Sequence, residues 1–292
     1  MNRPVRLIAA AAAAASIVAL GAGSTASAGT RHGGAAAKAT AAARAARIAL
    51  RDVTANPPAA NQGARSRPTG PGRLSSADST NWSGYADDSS GGNTYSRVTA
   101  KWTVPAITCP TKEQQLAAFW VGIDGYSSGT VEQDGTLAQC YGGTAFYYTW
   151  WEMYPTNSIQ AVGTTVKPGD KITATVVKTG TSYALTVTDA TTSGNNISTT
   201  QSCAAATCVD SSAEWIAEAP GGPRGEYPLP DFKKWTASAA SATSGSTKGD
   251  IGSFPDDEIT MVTSLTGGYA LATPGVLNAA GTGFPVTWDN SY

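Results

Sequence analysis

The chain has 292 residues, with 20 Lys and Arg against 21 Asp and Glu, a net charge of −1 and a single histidine, His32. Because the rest of the chain lacks imidazole, Ser-His-Asp and Cys-His nucleophile systems and H-E-x-x-H zinc sites are excluded there. Catalysis would have to use carboxyl groups assisted by amides, tyrosines or tryptophans, which leaves the hydrolysis of glycosides or of peptides.

Residues 1–28 have the pattern of a secretory signal peptide. Arg3 and Arg6 precede an apolar stretch over 7–20, and Ala26-Ser27-Ala28 is a small-residue cleavage motif. A transmembrane anchor is the alternative, but the apolar stretch is short for one. We therefore expect a secreted, extracellular protein that does not contact a membrane after the signal is removed.

Residues 29–78 form a basic leader with eight Lys and Arg, two Asp and no aromatic residue. Arg44, Arg47 and Arg51 fall at helical spacing, which predicts a short cationic helix, and a Pro/Gly-rich linker follows it. The charge predicts a propeptide that inhibits the rest of the chain electrostatically, whereas the alternative is a disordered linker or wall-spanning arm.

Residues 79–292 form an acidic body that holds every Trp, Tyr, Phe and Cys, with 19 acids against 10 bases. A net charge of this sign disfavours nucleic acid as a partner. Protein or peptide substrates are the expected partners, and we expect a monomer. The maturation cut is expected between about Arg65 and Thr80, close to the change in composition.

The body is predicted to consist of short strands. Two-residue alternation is clear in Ile172–Val177 and Tyr183–Val187, which flank KTGTS as a hairpin, and no stretch has sustained helical periodicity. An all-β fold, an antiparallel sandwich or barrel, is therefore predicted.

Four cysteines in a secreted chain predict two disulfides, for which three pairings are possible. Cys203 and Cys208 are separated by four residues and could staple a hairpin, which would leave Cys109 to bridge Cys140. A metal site is disfavoured because the body has neither C-x-x-C nor histidine. We expect no metal and no cofactor.

Six segments of the body resemble, in order, those of the eqolisins, the glutamic peptidases. They are NWSGY (81–85), KWTVP (101–105), FWVGIDG (119–125), TVEQDG (130–135), WWEMYP (150–155) and SSAEWIAE (211–218). The resemblance implies a concanavalin-like sandwich of two antiparallel sheets and a bacterial, secreted acid endopeptidase made as a zymogen.

The resemblance also implies a catalytic pair, Gln133 and Glu214. Glu214 would take a proton from the attacking water and deliver it to the leaving nitrogen, while Gln133 donates to the oxyanion. Glu218 shares the face of Glu214 about 13 Å along the strand and is expected at the cleft rim or the solvated edge.

Four further residues match positions that line or support the cleft of this family: Trp82, Trp120, Asp124 and Glu152. Each has a structural alternative, as a core tryptophan, a turn-forming aspartate or a buried acid bonded to backbone donors. Two other functions stay open, a glycoside hydrolase that pairs Glu152 with Glu214 and a sugar-binding lectin.

Overall fold

The computed structural model describes residues 30–55, 75–89, 92–203 and 208–292. The predicted signal peptide (1–28) and the predicted linker (56–73) lie outside the described residues. The chain divides into two compact units, residues 1–41 and 42–292. Helix α1 (Thr30–Ile48) confirms a helix at Arg44 and Arg47, but it is 19 residues long and Arg51 lies in the turn after it. None of the helices in the described ranges is both long and apolar enough to cross a membrane.

Strands make up most of the second unit, as expected from the density of alternating, β-branched and aromatic residues. In chain order they are β1 (Ser75–Ser79), β2 (Trp82–Asp87), β3 (Tyr95–Thr103), β4 (Gln115–Ile123), β5 (Val131–Tyr141), β6 (Thr144–Tyr154), β7 (Gln160–Ala161), β8 (Lys171–Thr179), β9 (Ser182–Asp189), β10 (Ile197–Ser202), β11 (Ala213–Glu218), β12 (Gly221–Gly222), β13 (Gly225–Glu226), β14 (Lys234–Ser244), β15 (Thr247–Gly249), β16 (Asp256–Val262), β17 (Ala270–Pro274) and β18 (Phe284–Trp288).

Most of these strands form two sheets that share β14, while β12 and β13 form a separate two-stranded sheet, β1 pairs with β16 and β15 pairs with β14. The site sheet has the order β7-β6-β5-β4-β11-β2-β16-β17-β18-β14, and the back sheet has the order β10-β9-β8-β3-β14. β14 pairs with β18 over Lys234–Ala237 and with β3 from Ser238 onward. A β-bulge between Ser238 and Ser241, where Ala239 has a φ of 48°, lies where the strand changes partner.

The sheets are antiparallel, apart from the parallel pairing of β1 with β16. The predicted hairpin is confirmed as β8–β9, paired in register over its whole length. The predicted all-β fold of antiparallel sheets is therefore confirmed.

Side chains on one face of each sheet pack into a shared core. Trp102 of β3 meets Trp235 of β14 with ring centroids 5.8 Å apart, and its Nε1 donates to Thr136 Oγ1 of β5 at 3.0 Å. Trp215 of β11 donates across the layers to the carbonyl oxygen of Thr99 at 3.0 Å. Because Trp215 points into this core, its neighbours in β11 point to the opposite face of the site sheet.

Both disulfides are confirmed, as Cys109–Cys140 and Cys203–Cys208. The expectation that Cys203 and Cys208 staple a hairpin was wrong, because the two strands that flank them are not partners. β10 lies in the back sheet and β11 in the site sheet. The disulfide therefore lies in the connection between the two sheets.

Candidate active site

A row of polar residues crosses four neighbouring strands on the outer face of the site sheet. The register pairs Glu214 of β11 with Gly122 of β4, Gly122 with Gln133 of β5, and Gln133 with Glu152 of β6. Side chains at directly paired positions share a face, so Gln133, Glu152 and Glu214 project to the same side. All three are fully buried. Buried polar side chains need partners, so the contacts of this row decide what it can do.

The amide of Gln133 contacts both its strand neighbour and the leader. Its Nε2 donates to Glu152 Oε2 at 3.0 Å and to the carbonyl oxygen of Ala55 at 2.7 Å. The backbone N–H of Ala55 donates to the same Glu152 oxygen at 2.9 Å. Because both partners of the Gln133 amide are acceptors, its NH₂ group must face them. Gln133 and Glu152 together therefore hold both backbone polar groups of one residue.

Residues 53–55 of the leader lie across this face as an extended peptide. Thr54 and Gly221 exchange two backbone hydrogen bonds, of 3.0 and 2.8 Å, as an antiparallel bridge. The N–H of Ile159 donates to the carbonyl oxygen of Val53 at 3.0 Å, and the side chain of Ala55 is fully buried. The hydrogen bonds among these contacts are made by the backbone, so they do not depend on the side chains of the leader.

Glu218 is buried in the same face, and the expectation that it lies at the cleft rim or the solvated edge was wrong. Trp120 Nε1 donates to Glu218 Oε2 at 2.8 Å, and Asn81 Nδ2 donates to Oε1 at 3.4 Å. The ring of Trp120 packs edge-on against Trp82, with centroids 4.9 Å apart. The two predicted cleft tryptophans are thus brought together next to a carboxyl group to which the sequence analysis had given no catalytic role.

Glu214 and Gln133 share a face, but a tryptophan ring lies between them. Their backbones are two strand spacings apart, about 10 Å. A Cβ added to the intervening Gly122 would come within 2.7 Å of Trp120 Cζ3, so the indole occupies the space above that glycine. The pairing of Gln133 with Glu214 therefore stays a prediction, and Glu218, which accepts a hydrogen bond from the same indole, is the other candidate carboxyl group on this face.

The pKa values of Glu152 and Glu214 show which charged groups act on each of these two carboxyl groups. Burial raises the pKa of Glu152 well above its ordinary value, and the nearby charge of Glu218 raises it further. Burial also raises the pKa of Glu214 well above its ordinary value, but the charges that add to this effect belong to a different group of acids, Asp124, Glu132 and Asp87. Glu218, and not Glu214, is thus the β11 glutamate whose charge acts on Glu152.

Asp124 fastens the segment that leads into β11. It sits at the turn after β4 with a φ of 69°. Its Oδ2 accepts the N–H groups of Val209 and Asp210 at 2.9 and 2.8 Å, and its Oδ1 accepts the N–H and the hydroxyl of Ser211 at 2.8 and 2.9 Å. Asp124 therefore positions β11, which carries Glu214 and Glu218, although Asp124 itself is not part of the row of Gln133, Glu152 and Glu214.

We expect Asp124→Ala to lower the free energy of unfolding by about 3 kcal/mol, because three backbone N–H groups lose a charged acceptor. Urea titration measures the loss. Asp289→Ala is the control, since this exposed carboxylate accepts a bond from the Thr273 hydroxyl and should matter little. Equal destabilisation by the two variants would contradict the role of Asp124.

Sequence reasoning missed Glu218, Asn81 and Ala55. The four-residue spacing of the two glutamates in AEWIAE placed both on one face, which was a usable signal for Glu218. No pattern in the leader indicated that Ala55 would reach Gln133, because backbone contacts leave no mark on side-chain composition.

Known proteins resemble this chain in sequence and in fold. A family model described as Peptidase A4 family matches residues 80–271. Aspergillopepsin-2 of Aspergillus niger is 28% identical over 187 residues, which are 57% of this chain and 65% of the relative, so the chain spans less than two thirds of that relative's length.

Solved structures of two glutamic peptidases share the fold. Scytalido-glutamic peptidase with a peptide based transition state analog aligns with a TM-score of 0.60 and 22% identity, over 72% of this chain and 98% of that one. Aspergilloglutamic peptidase from Aspergillus niger aligns with a TM-score of 0.50 and 26% identity, over 60% of this chain and 99% of that one. The chain therefore belongs to the Peptidase A4 family, and its predicted place among the eqolisins, the glutamic peptidases, is confirmed.

Proposed function

We propose that the chain is a secreted acid endopeptidase, made with a signal peptide and a basic propeptide ahead of a concanavalin-like sandwich. One observation carries the proposal: Gln133 and Glu152 bind the carbonyl oxygen and the N–H of one residue in an extended peptide, Ala55. A site that holds a peptide by its backbone suits a peptide substrate. Membership of the Peptidase A4 family supports this reading.

The proposed mechanism uses a carboxylate to activate water and the Gln133 amide to bind the carbonyl oxygen. Glu218, ionised, takes a proton from a water that attacks the scissile carbonyl carbon. Gln133 Nε2 donates to the developing oxyanion, as it donates to the Ala55 oxygen at 2.7 Å. Glu218 then delivers the proton to the leaving nitrogen. Glu214 is the carboxylate that the family resemblance implied for the same role.

Glu152 is a positioning residue in this proposal. Its Oε2 accepts from the Gln133 amide, which fixes the NH₂ group towards the peptide. Burial raises the pKa of Glu152 and so favours its neutral form, which avoids a second negative charge beside the oxyanion. This suits an enzyme that works in acid, where the many other carboxyl groups of the body also lose charge.

The leader is proposed to inhibit the enzyme by filling the site, in addition to its charge. Arg47 donates to the carbonyl oxygen of Ala161 at 2.7 Å. The ion pairs found within the described ranges join Lys178 to Asp210 and Lys233 to Asp231, so neither involves a leader arginine. The arginines would therefore act through the long-range field of the acidic body.

Digestion of casein, laminarin and xylan by the full chain at acidic pH tests the proposed function. Casein hydrolysis without loss of the two polysaccharides is expected. The glycoside hydrolase alternative, which pairs Glu152 with Glu214, predicts the reverse, and a lectin predicts binding of a polysaccharide without hydrolysis of any of the three. Either of those results would overturn the proposal.

A further inference from the structure

The carbonyl of Ala55 lies where a peptidase would hold the bond that it cuts. Its oxygen accepts from Gln133 Nε2 at 2.7 Å, and this donor would stabilise the negative charge that develops on the oxygen when water adds. Its N–H is fixed by Glu152 at 2.9 Å, so the residue is held on both sides of its Cα atom. A carbonyl that is fixed in this way is set up for attack by water.

The preceding leader residues bind as a substrate chain would. Thr54 pairs with Gly221 by two backbone hydrogen bonds as an isolated antiparallel bridge, the same kind of contact by which extended peptides bind to strand edges. Gly221 lies three residues after Glu218, so the leader passes the end of β11 before it reaches Gln133. Thr54 is therefore bound just beyond the strand that carries the proposed base, and the next residue, Ala55, is bound by the Gln133 amide.

The side chain of Ala55 also fits this position by size. It is fully buried, in an apolar cluster with Trp82, Trp120, Val131 and Ile159. A close-packed site of this kind accepts a methyl group and resists a large side chain. The site is thus selective for a small residue at the carbonyl side of the bond.

We propose that the first bond cut during maturation is Ala55–Asn56, and that the chain cuts it within its own molecule. This inference rests on the proposed function. A water adds to the carbonyl carbon of Ala55, the bond to the nitrogen of Asn56 breaks, and that nitrogen takes the proton. The products are a carboxyl group on Ala55 and an amine on Asn56. The first cut thus falls before the stretch between Arg65 and Thr80, and any cut there comes later.

Terminal sequencing by mass spectrometry after a shift to acidic pH tests the proposal on the full chain. The first new N-terminus is expected at Asn56, and its rate of appearance is expected to stay the same when the protein is diluted, since the reaction is intramolecular. Ala55→Phe should reduce the Asn56 terminus at least about tenfold, whereas Ala55→Gly should keep it. Ala43→Phe, at an exposed leader position, is the matched control and should be cut like the wild type.

A first terminus elsewhere, in a chain that hydrolyses casein, would overturn the proposal and leave the proposed function intact. A rate that falls on dilution would likewise overturn it, and so would normal cutting of Ala55→Phe. If the chain cuts neither casein nor itself, the proposed function fails and this inference fails with it. Thermal unfolding of each variant separates a lost cut from a lost fold.

Discussion

Replacing Glu218 with glutamine is expected to lower kcat/KM for a peptide substrate by about 10³-fold at acidic pH, because the reaction loses its general base and acid. Glutamine has nearly the same shape, and its one amide oxygen can keep the shorter bond, from Trp120 Nε1, at the loss of the 3.4 Å bond from Asn81 Nδ2. The loss should therefore come without a change in the fold. Glu214→Gln is expected to cost far less, because the Trp120 ring separates Glu214 from Gln133.

Glu218→Gln and Glu214→Gln can be compared only after the leader has been removed from each variant. Variants of the full chain can be processed by a trace of wild-type enzyme, whose own activity is measured separately and subtracted. Initial rates on one chromogenic peptide then give kcat and KM. If Glu214→Gln abolishes hydrolysis and Glu218→Gln retains it, the assignment by family resemblance is right and the geometric argument is wrong.

Stability is expected to fall as pH rises from about 4.5 towards 9. Burial raises the pKa of Glu132 from its ordinary 4.5 to about 9, and it raises the pKa values of Asp134, Glu152 and Glu214 well above normal. The folded state therefore binds these protons more tightly than the unfolded state does. Each carboxyl group makes its full stabilising contribution below its pKa in the unfolded state. This contribution is lost as pH rises through its pKa in the folded state, and the total loss is about 1.4 kcal/mol for each unit by which the two pKa values differ.

Urea midpoints measured across this pH range check the expectation. Glu132→Gln should flatten the decline, since it removes a carboxyl group that is buried next to Asp124 and Asp210. Glu113→Gln, at an exposed position after β3, is the control and should follow the wild type. A stability that increases from pH 4.5 to neutrality would show that these carboxyl groups are charged in the folded protein.

Much of the fold could be predicted from local patterns. Alternation gave the β8–β9 hairpin, because one face of each strand meets the core and the other meets solvent. The transfer of β14 between sheets could not be predicted, since it depends on a bulge at Ser238–Ser241 that no turn residue announces. The mistake over Cys203 and Cys208 has the same origin, because closeness in sequence does not reveal which sheet each flanking strand joins.

The site could be predicted only in part. Periodicity places Glu214 and Glu218 on one face, but it cannot say which of them acts with Gln133, which lies two strands away. The answer depends on the rotamer of Trp120. This rotamer places the indole N–H at Glu218 and the six-membered ring over Gly122. Glu152 was predicted as either a cleft residue or a buried acid bonded to backbone donors, and its contacts with Gln133 and Ala55 join both descriptions.

The most direct test of the account is the kcat of Gln133→Ala at acidic pH, with Gln139→Ala as the matched control. Gln139 lies on the same face of β5, is equally buried and also donates to a leader carbonyl, that of Ala46 at 3.1 Å. The account predicts that kcat falls by about 10²–10³-fold in Gln133→Ala and stays near the wild-type value in Gln139→Ala. Equal activity of the two variants would contradict the claim that the Gln133 amide binds the carbonyl oxygen of the bond being cut.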